Sequence, residues 1–117
     1  MNHLENNKLI AEFMGHKDIL NGIYDIPVPE HLNGIGYIIE KMEYHTSWDW
    51  LMPVVDKIEI TSVDGEDNSD EFFNVVIEVF ECNINGSGRT VCGVGQNKIE
   101  ATYKAVVEFI KWYNKNK

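Results

Sequence analysis

The chain has 117 residues, 44% of them apolar and 25% charged, with a formal net charge of −9. This length and composition predict one globular domain over residues 1–117, with a core that needs no metal or disulfide to fold. No apolar run approaches the roughly 18 residues of a membrane span, and residues 1–7 lack the cationic start and apolar run of a secretory signal. We therefore expect a cytoplasmic protein without membrane contact.

Charge is distributed unevenly along the chain. Residues 1–88 contain 17 acidic and four basic residues, whereas residues 89–117 contain two acidic and six basic ones. An acidic body repels polyphosphates, so nonspecific binding to nucleic acid is not expected. The same charge favours the encounter with a basic surface on another protein, although it also has the simpler use of keeping a small domain soluble.

The first elements are predicted from helical spacing and from turn residues. Apolar residues between Leu9 and Met14 recur at helical spacing, which predicts a short first helix that is capped by Asn6-Asn7 and ends at Gly15. Over residues 16–44, glycines and prolines interrupt the apolar residues, a pattern typical of short extended pieces joined by turns. Strands are expected near residues 23–28 and 37–42.

A second helix is predicted from a capping pattern. In residues 46–49, Thr-Ser-Trp-Asp, a threonine is followed three residues later by an acid, as in a capping box. Pro53 lies several residues further on and lacks a backbone donor, so we expect this helix to bend or to begin later. An exposed loop is expected to follow, and it carries five acids: Asp64, Glu66, Asp67, Asp70 and Glu71.

The last third of the chain predicts a hairpin and a long helix. Residues 72–84 are rich in aromatic and β-branched residues and predict one central strand, which a glycine-rich turn joins to an antiparallel partner over residues 89–94. Cys82 and Cys92 flank this turn and are expected to be buried thiols. The sequence leaves open whether they form a disulfide, because the two cysteines face each other only if the loop has three residues. Asn97 is predicted to cap a final helix whose apolar face packs on the sheet.

No pattern in the sequence is typical of catalysis or of metal binding. The four histidines lie in separate segments, the cysteines do not form a C-x-x-C motif, and neither cysteine has an activating cation beside it. Gly93 and Gly95 precede a helix, as in phosphate-binding loops, but the further glycine and the lysine of such loops are missing. We therefore expect no enzymatic activity, catalytic residue, metal or cofactor.

Trp48 and Trp50 form the densest aromatic cluster, together with Tyr44 and His45. Two residues two positions apart on a helix do not share a face, so one tryptophan is expected to be partly exposed. An exposed tryptophan suits a contact with a partner, whereas packing into the core is the simpler interpretation of both.

One motif resembles a known nucleic-acid-binding family. The pattern Gly93-x-Gly95-x-Asn97-Lys98-x-x-Ala101-x-x-x-Ala105 is similar to the segment that leads into the last helix of double-stranded RNA-binding domains. The resemblance implies an α-β-β-β-α order. As an alternative function it implies RNA binding by five of the six basic residues of the C-terminal third, Arg89, Lys98, Lys104, Lys111 and Lys115.

Three longer segments, residues 9–15, 44–59 and 99–114, resemble uncharacterised small proteins of phages and prophages of Bacteroidota, of the kind grouped as a phage α/β sandwich domain. The resemblance implies an accessory role in the cytoplasm of an infected bacterium. Small acidic phage proteins of this kind are similar in class to inhibitors of bacterial defence, including anti-CRISPR proteins.

We expect an α+β fold in which a long C-terminal helix and a second helix pack on an antiparallel sheet of three or more strands, in α-β-β-β-α-like order. The expected function is binding of a host macromolecule, such as an RNA-guided (CRISPR) defence nuclease or its guide-RNA complex. The expected partner-binding residues are Asp64, Glu66, Asp67, Asp70, Glu71, Trp48 and Trp50. The alternatives are a nucleic-acid-binding module and a small-molecule or nucleotide-binding protein, and the oligomeric state is left open.

Overall fold

The computed structural model describes residues 3–20, 23–25, 37–38, 42–61, 72–86 and 89–116. In these residues the chain forms three helices and six strands. In chain order they are α1 (His3–Phe13), β1 (Asp18–Leu20), β2 (Ile23–Tyr24), β3 (Tyr37–Ile38), α2 (Trp48–Glu59), β4 (Asn74–Ile77), β5 (Glu81–Gly86), β6 (Arg89–Val94) and α3 (Lys98–Asn116). No helix within the described ranges has the length and apolarity needed to cross a membrane.

The strands form two antiparallel sheets of three strands each, in the orders β1-β2-β3 and β4-β5-β6. In the second sheet, Cys82 of β5 lies between Ile77 of β4 and Gly93 of β6. The helix α3 packs on this sheet, mainly on β5 and β6. The predicted α+β class is confirmed, and the order α2-β4-β5-β6-α3 matches the expected α-β-β-β-α sequence of elements.

The helix α3 lies at the centre of the fold. Eight of its residues between 101 and 110 are buried, because α3 contacts the sheet, α1 and α2. Its start is fixed as predicted, since the Oδ1 of Asn97 accepts a hydrogen bond of 2.9 Å from the backbone N–H of Glu100. The Glu100–Lys104 ion pair, at 3.0 Å, also forms one helical turn apart.

The prediction of one strand over residues 72–84 is wrong. The chain turns at Glu78, whose backbone N–H donates to the carbonyl of Glu81 at 2.7 Å, and separates β4 from β5. Val79 and Phe80 in the turn are exposed. β-branched and aromatic residues continue through the turn without a glycine, proline or asparagine, so the pattern carries no sign of it.

The expected cap at Asn6-Asn7 is also wrong. Both asparagines lie inside α1 and are buried, with exposures of 7% and 2%. The Nδ2 of Asn7 donates to the carbonyl of Met42 at 3.4 Å, and its Oδ1 accepts from the Tyr103 hydroxyl at 3.3 Å. Their polar side chains therefore satisfy buried groups of distant segments. The predicted stop is confirmed, since Gly15 follows α1 with a φ of +87°.

The second helix begins at Trp48, where the capping pattern placed it, and it continues through Pro53. Of the two expected effects of Pro53, a bend or a later start, the later start is not observed. Ser47 is the N-cap residue, but its side chain makes no capping hydrogen bond. The expected extended pieces are present as β2 and β3, in which Ile23 pairs with Ile38. The rest of the expected strands lies largely outside the described residues.

Gly93 brings the sheet into direct contact with α3. A Cβ atom at Gly93 would lie 2.3 Å from the Ala101 carbonyl oxygen and 2.3 Å from the Ala105 nitrogen. These are backbone atoms of a buried helix, so no side chain can move aside to make room. The glycine before the last helix is thus explained by packing, without a bound phosphate.

We expect Gly93→Ala to lower the free energy of unfolding by about 1–3 kcal/mol or more, because the methyl group pushes α3 away from β6. Urea denaturation followed by circular dichroism measures this change. The matched control is Val94→Thr, an exposed position on the same strand, which should change the free energy by less than about 0.5 kcal/mol. Equal stability of Gly93→Ala and wild type would contradict the close packing.

Candidate functional site

The outward side of α2 combines acids with exposed apolar side chains. Helical spacing places Trp48, Asp49, Met52, Asp56 and Glu59 on the side that turns away from the core, and all five are exposed. The buried side of the same helix carries Leu51, Val54, Val55 and Ile58. We call the five exposed residues the outer α2 face.

The one basic residue of α2 does not neutralise this face. Lys57 points toward the end of α1, where its Nζ donates to the Phe13 carbonyl and lies 5.1 Å from the centroid of the Phe13 ring. Asp49, Asp56 and Glu59 have no ion-pair partner among the described residues. The outer α2 face is therefore negatively charged along its length.

The two tryptophans have different environments. Trp48 is 37% exposed and belongs to the outer α2 face. Trp50 is half-buried and packs edge-on against Tyr44, with 5.1 Å between the ring centroids. The prediction that one of the two is partly exposed is confirmed. Trp48 is accessible to a partner, whereas Trp50 supports the core.

The five acids proposed as partner contacts, Asp64, Glu66, Asp67, Asp70 and Glu71, lie outside the described residues. They follow the end of α2 at Glu59 and precede β4, so they continue the acidic character of α2 along the chain.

The basic residues of the RNA-binding alternative are partly engaged within the protein. Lys104 pairs with Glu100 at 3.0 Å and Lys111 with Glu108 at 3.6 Å. The guanidinium of Arg89 lies 5.6 Å from the Trp112 ring. Lys98 and Lys115 are exposed at opposite ends of α3. Helical spacing places Lys104, Lys111 and Lys115 on one face of α3, where Glu100 and Glu108 lie among them, so this face carries charges of both signs.

The cysteines are neither paired nor activated. Cys82 lies opposite Gly93 and Cys92 opposite Asn83, so the two thiols do not face each other, and both are free. Burial raises the pKa of Cys82 to about 11. Cys92 is exposed, which corrects the expectation of two buried thiols. Its pKa is raised by partial desolvation and by Glu81, whose Oε1 accepts from the Sγ at 3.4 Å.

A cluster of three rings forms where α1, the segment before α2 and α3 meet. The ring centroids of His3 and His45 are 4.2 Å apart, and each lies 5.8 Å from the centroid of Tyr103. We call these residues the three-ring cluster. The sequence carries no sign of this cluster, because the three residues are far apart in the chain and only the packing of α1 and of the segment before α2 on α3 joins them. In the described ranges no group of three or more His, Cys, Asp or Glu is placed to hold a metal ion.

The packing of the cluster shifts the pKa values of His45 and Tyr103. Burial lowers the pKa of His45, and the neighbouring His3 lowers it further, while Glu43 acts in the opposite direction. Burial raises the pKa of Tyr103 to about 12. The Nδ1 of His45 is buried and has no hydrogen-bond partner among the described residues. At neutral pH His45 is therefore a neutral imidazole and Tyr103 a neutral phenol.

The different burial of the tryptophans predicts different costs of truncation. Trp50→Ala should lower the free energy of unfolding by about 2 kcal/mol, because it removes the ring against Tyr44. Trp48→Ala should lower it by no more than about 1 kcal/mol, because much of this ring remains in water. Urea denaturation followed by circular dichroism compares the two, and an equal loss would contradict the assignment of Trp48 to a surface role.

The pKa of His45 predicts a loss of stability in acid. As the pH falls through about 6.5, the unfolded chain binds a proton on this residue before the folded chain does, which favours unfolding. The ionisable groups nearby are His3, Glu43, Glu100 and Lys104. His45→Gln should therefore lose less stability than wild type between pH 7.5 and pH 5.5, within the limit of about 1.4 kcal/mol per pH unit for one group. Parallel urea curves at the two pH values measure the difference, and identical losses would contradict it.

Comparisons with known proteins do not assign a relative. No protein-family model matches the chain, and neither a curated protein nor a solved structure is significantly similar to it. The resemblances to phage α/β sandwich proteins and to double-stranded RNA-binding domains therefore stay predictions as far as function is concerned. The function has to be inferred from the chemistry of the outer α2 face and of the three-ring cluster.

Proposed function

We propose that this protein is a non-enzymatic phage or prophage protein that binds a basic surface of a host macromolecule, such as the nucleic-acid channel of an RNA-guided defence nuclease. The observation that carries the proposal is the outer α2 face, on which three exposed acids and two exposed apolar side chains share one side of a helix. The protein acts by occupying the surface that its partner uses for nucleic acid.

The spacing of the acids suits a partner with regularly placed cations. Asp49 and Asp56 are two helical turns apart, about 10 Å along the axis, and Glu59 lies one turn beyond Asp56. Carboxylates at such intervals can pair with a row of lysines or arginines on the partner, which would otherwise contact phosphates. Their attraction also raises the rate of encounter at low ionic strength.

Apolar side chains on the same face add affinity that charge alone does not give. Trp48 and Met52 are neighbours at i and i+4, each 37% exposed. Tryptophan is enriched among the residues that dominate binding energy at interfaces, and methionine adapts to irregular surfaces. Together they supply a small apolar contact at the start of α2, with Asp49 beside it and Asp56 and Glu59 further along the helix.

The phage resemblance and the charge of the chain favour an RNA-guided nuclease as the partner. A net charge of −9 disfavours direct binding to nucleic acid and favours proteins that bind nucleic acid. The acids at Asp64, Glu66, Asp67, Asp70 and Glu71 extend the negative charge beyond α2 in the sequence.

The proposal is tested with a purified RNA-guided nuclease from a Bacteroidota host, loaded with its guide RNA. Preincubation with the full chain should abolish cleavage of a matching DNA target. The triple variant Asp49→Asn, Asp56→Asn, Glu59→Gln should restore cleavage, because it removes three charges from the outer α2 face. Trp48→Ala should weaken binding to the nuclease at least tenfold.

The matched control is Glu12→Gln, Glu78→Gln, Glu108→Gln, which removes three exposed charges elsewhere and should still inhibit. Equal behaviour of the two triple variants would show that net charge, and not the outer α2 face, is responsible. Undisturbed cleavage with wild-type protein would overturn the nuclease as partner. Binding of double-stranded RNA that weakens steeply with salt would favour the RNA-binding alternative instead.

A further inference from the structure

The three-ring cluster forms one wall of a cavity of about 460 Å³, located between the start of α1, the residues before α2 and the first turns of α3. Its size lies within the range of about 300–1,000 Å³ that is common for small-molecule sites. The other residues that line it are Thr46, Asn97, Ile99, Glu100 and Lys104. The cavity lies outside the outer α2 face and has no part in the proposed function.

The apolar part of the cavity suits a flat ligand. His3 is exposed at the rim, and its ring lies 4.2 Å from that of His45 with an interplanar angle of 33°. The half-buried Ile99 adds an aliphatic contact. Flat π-systems stack on such rings without a requirement for charge.

The polar part offers both hydrogen-bond donors and acceptors. The Nζ of Lys104 and the Oε1 of Glu100 are 3.0 Å apart, so the pair presents an ammonium and a carboxylate side by side. The edge of a heteroaromatic base carries donors and acceptors next to each other, which matches this arrangement.

We propose that the cavity binds a purine nucleoside, with its base stacked on the rings of His3 and His45 and the polar edge of the base directed to Glu100 and Lys104. The volume holds a purine and its pentose. A phosphate is disfavoured, because Glu100 already neutralises Lys104 and the chain as a whole carries a net charge of −9.

The experiment is a titration of the isotope-labelled full chain with adenosine and with guanosine, followed by NMR and by calorimetry. At least one of them should shift the ring signals of His3, His45 and Tyr103. His3→Ala should weaken that binding about fivefold or more, through loss of one stacking surface. Because His3 is exposed, this variant keeps the fold, which circular dichroism verifies.

The matched control is His16→Ala, which removes a histidine whose Nδ1 lies 3.4 Å from Asp25 and which does not line the cavity. It should leave nucleoside binding unchanged. Adenosine 5′-monophosphate and a short oligoadenylate should bind more weakly than adenosine.

The proposal is overturned if neither nucleoside shifts the three ring signals, or if His3→Ala and His16→Ala bind equally well. Tighter, salt-dependent binding of the monophosphate or of the oligoadenylate also overturns it and points to a phosphate-binding surface. None of these outcomes depends on inhibition of a nuclease, so the failure of this inference is distinguishable from failure of the proposed function.

Discussion

The burial of α3 is the constraint on which the rest of the structure depends. A helix with Ala101, Tyr103, Val106 and Phe109 all removed from water needs partners on more than one side. The sheet, α1 and α2 provide them. Gly93 lets β6 approach the α3 backbone closely, and the small side chains of Ala101 and Ala105 complete the contact. The contact between β6 and α3 therefore tolerates little added volume.

This packing decides which parts of α2 remain in water. Its apolar residues Leu51, Val54, Val55 and Ile58 are used in the core, and Lys57 is directed to the end of α1. What remains outside is acidic, with Trp48 and Met52 as the apolar part. Charge and exposed apolar surface thus coincide on one helix face. Scattered acids would serve solubility equally well, and it is the coincidence that suits a partner.

The three-ring cluster also depends on the packing around α3, at the first turns of this helix. Tyr103 is buried against α1. Its hydroxyl donates a hydrogen bond to the Oδ1 of Asn7, whose Nδ2 in turn donates to the carbonyl of Met42. His3 lies beside Tyr103 because α1 packs on α3, and His45 reaches the same ring from the segment before α2. The fold therefore presents two chemically different surfaces, an acidic helix face and a cavity lined with rings, and both are consequences of how α3 is enclosed.

The sequence by itself determined the features that depend on local interactions. The last helix, its cap at Asn97, the end of α1 at Gly15 and the β5–β6 hairpin follow from short-range patterns. Of the candidate sites, it indicated the exposed tryptophan but not the acids of α2 as one face. Tertiary structure alone decided the turn at Glu78, because the β-branched run has no break there, and the burial of Asn6 and Asn7, because the groups near them come from distant segments. It also decided the three-ring cluster, since periodicity reports which side of an element is apolar and does not report which distant side chain it meets.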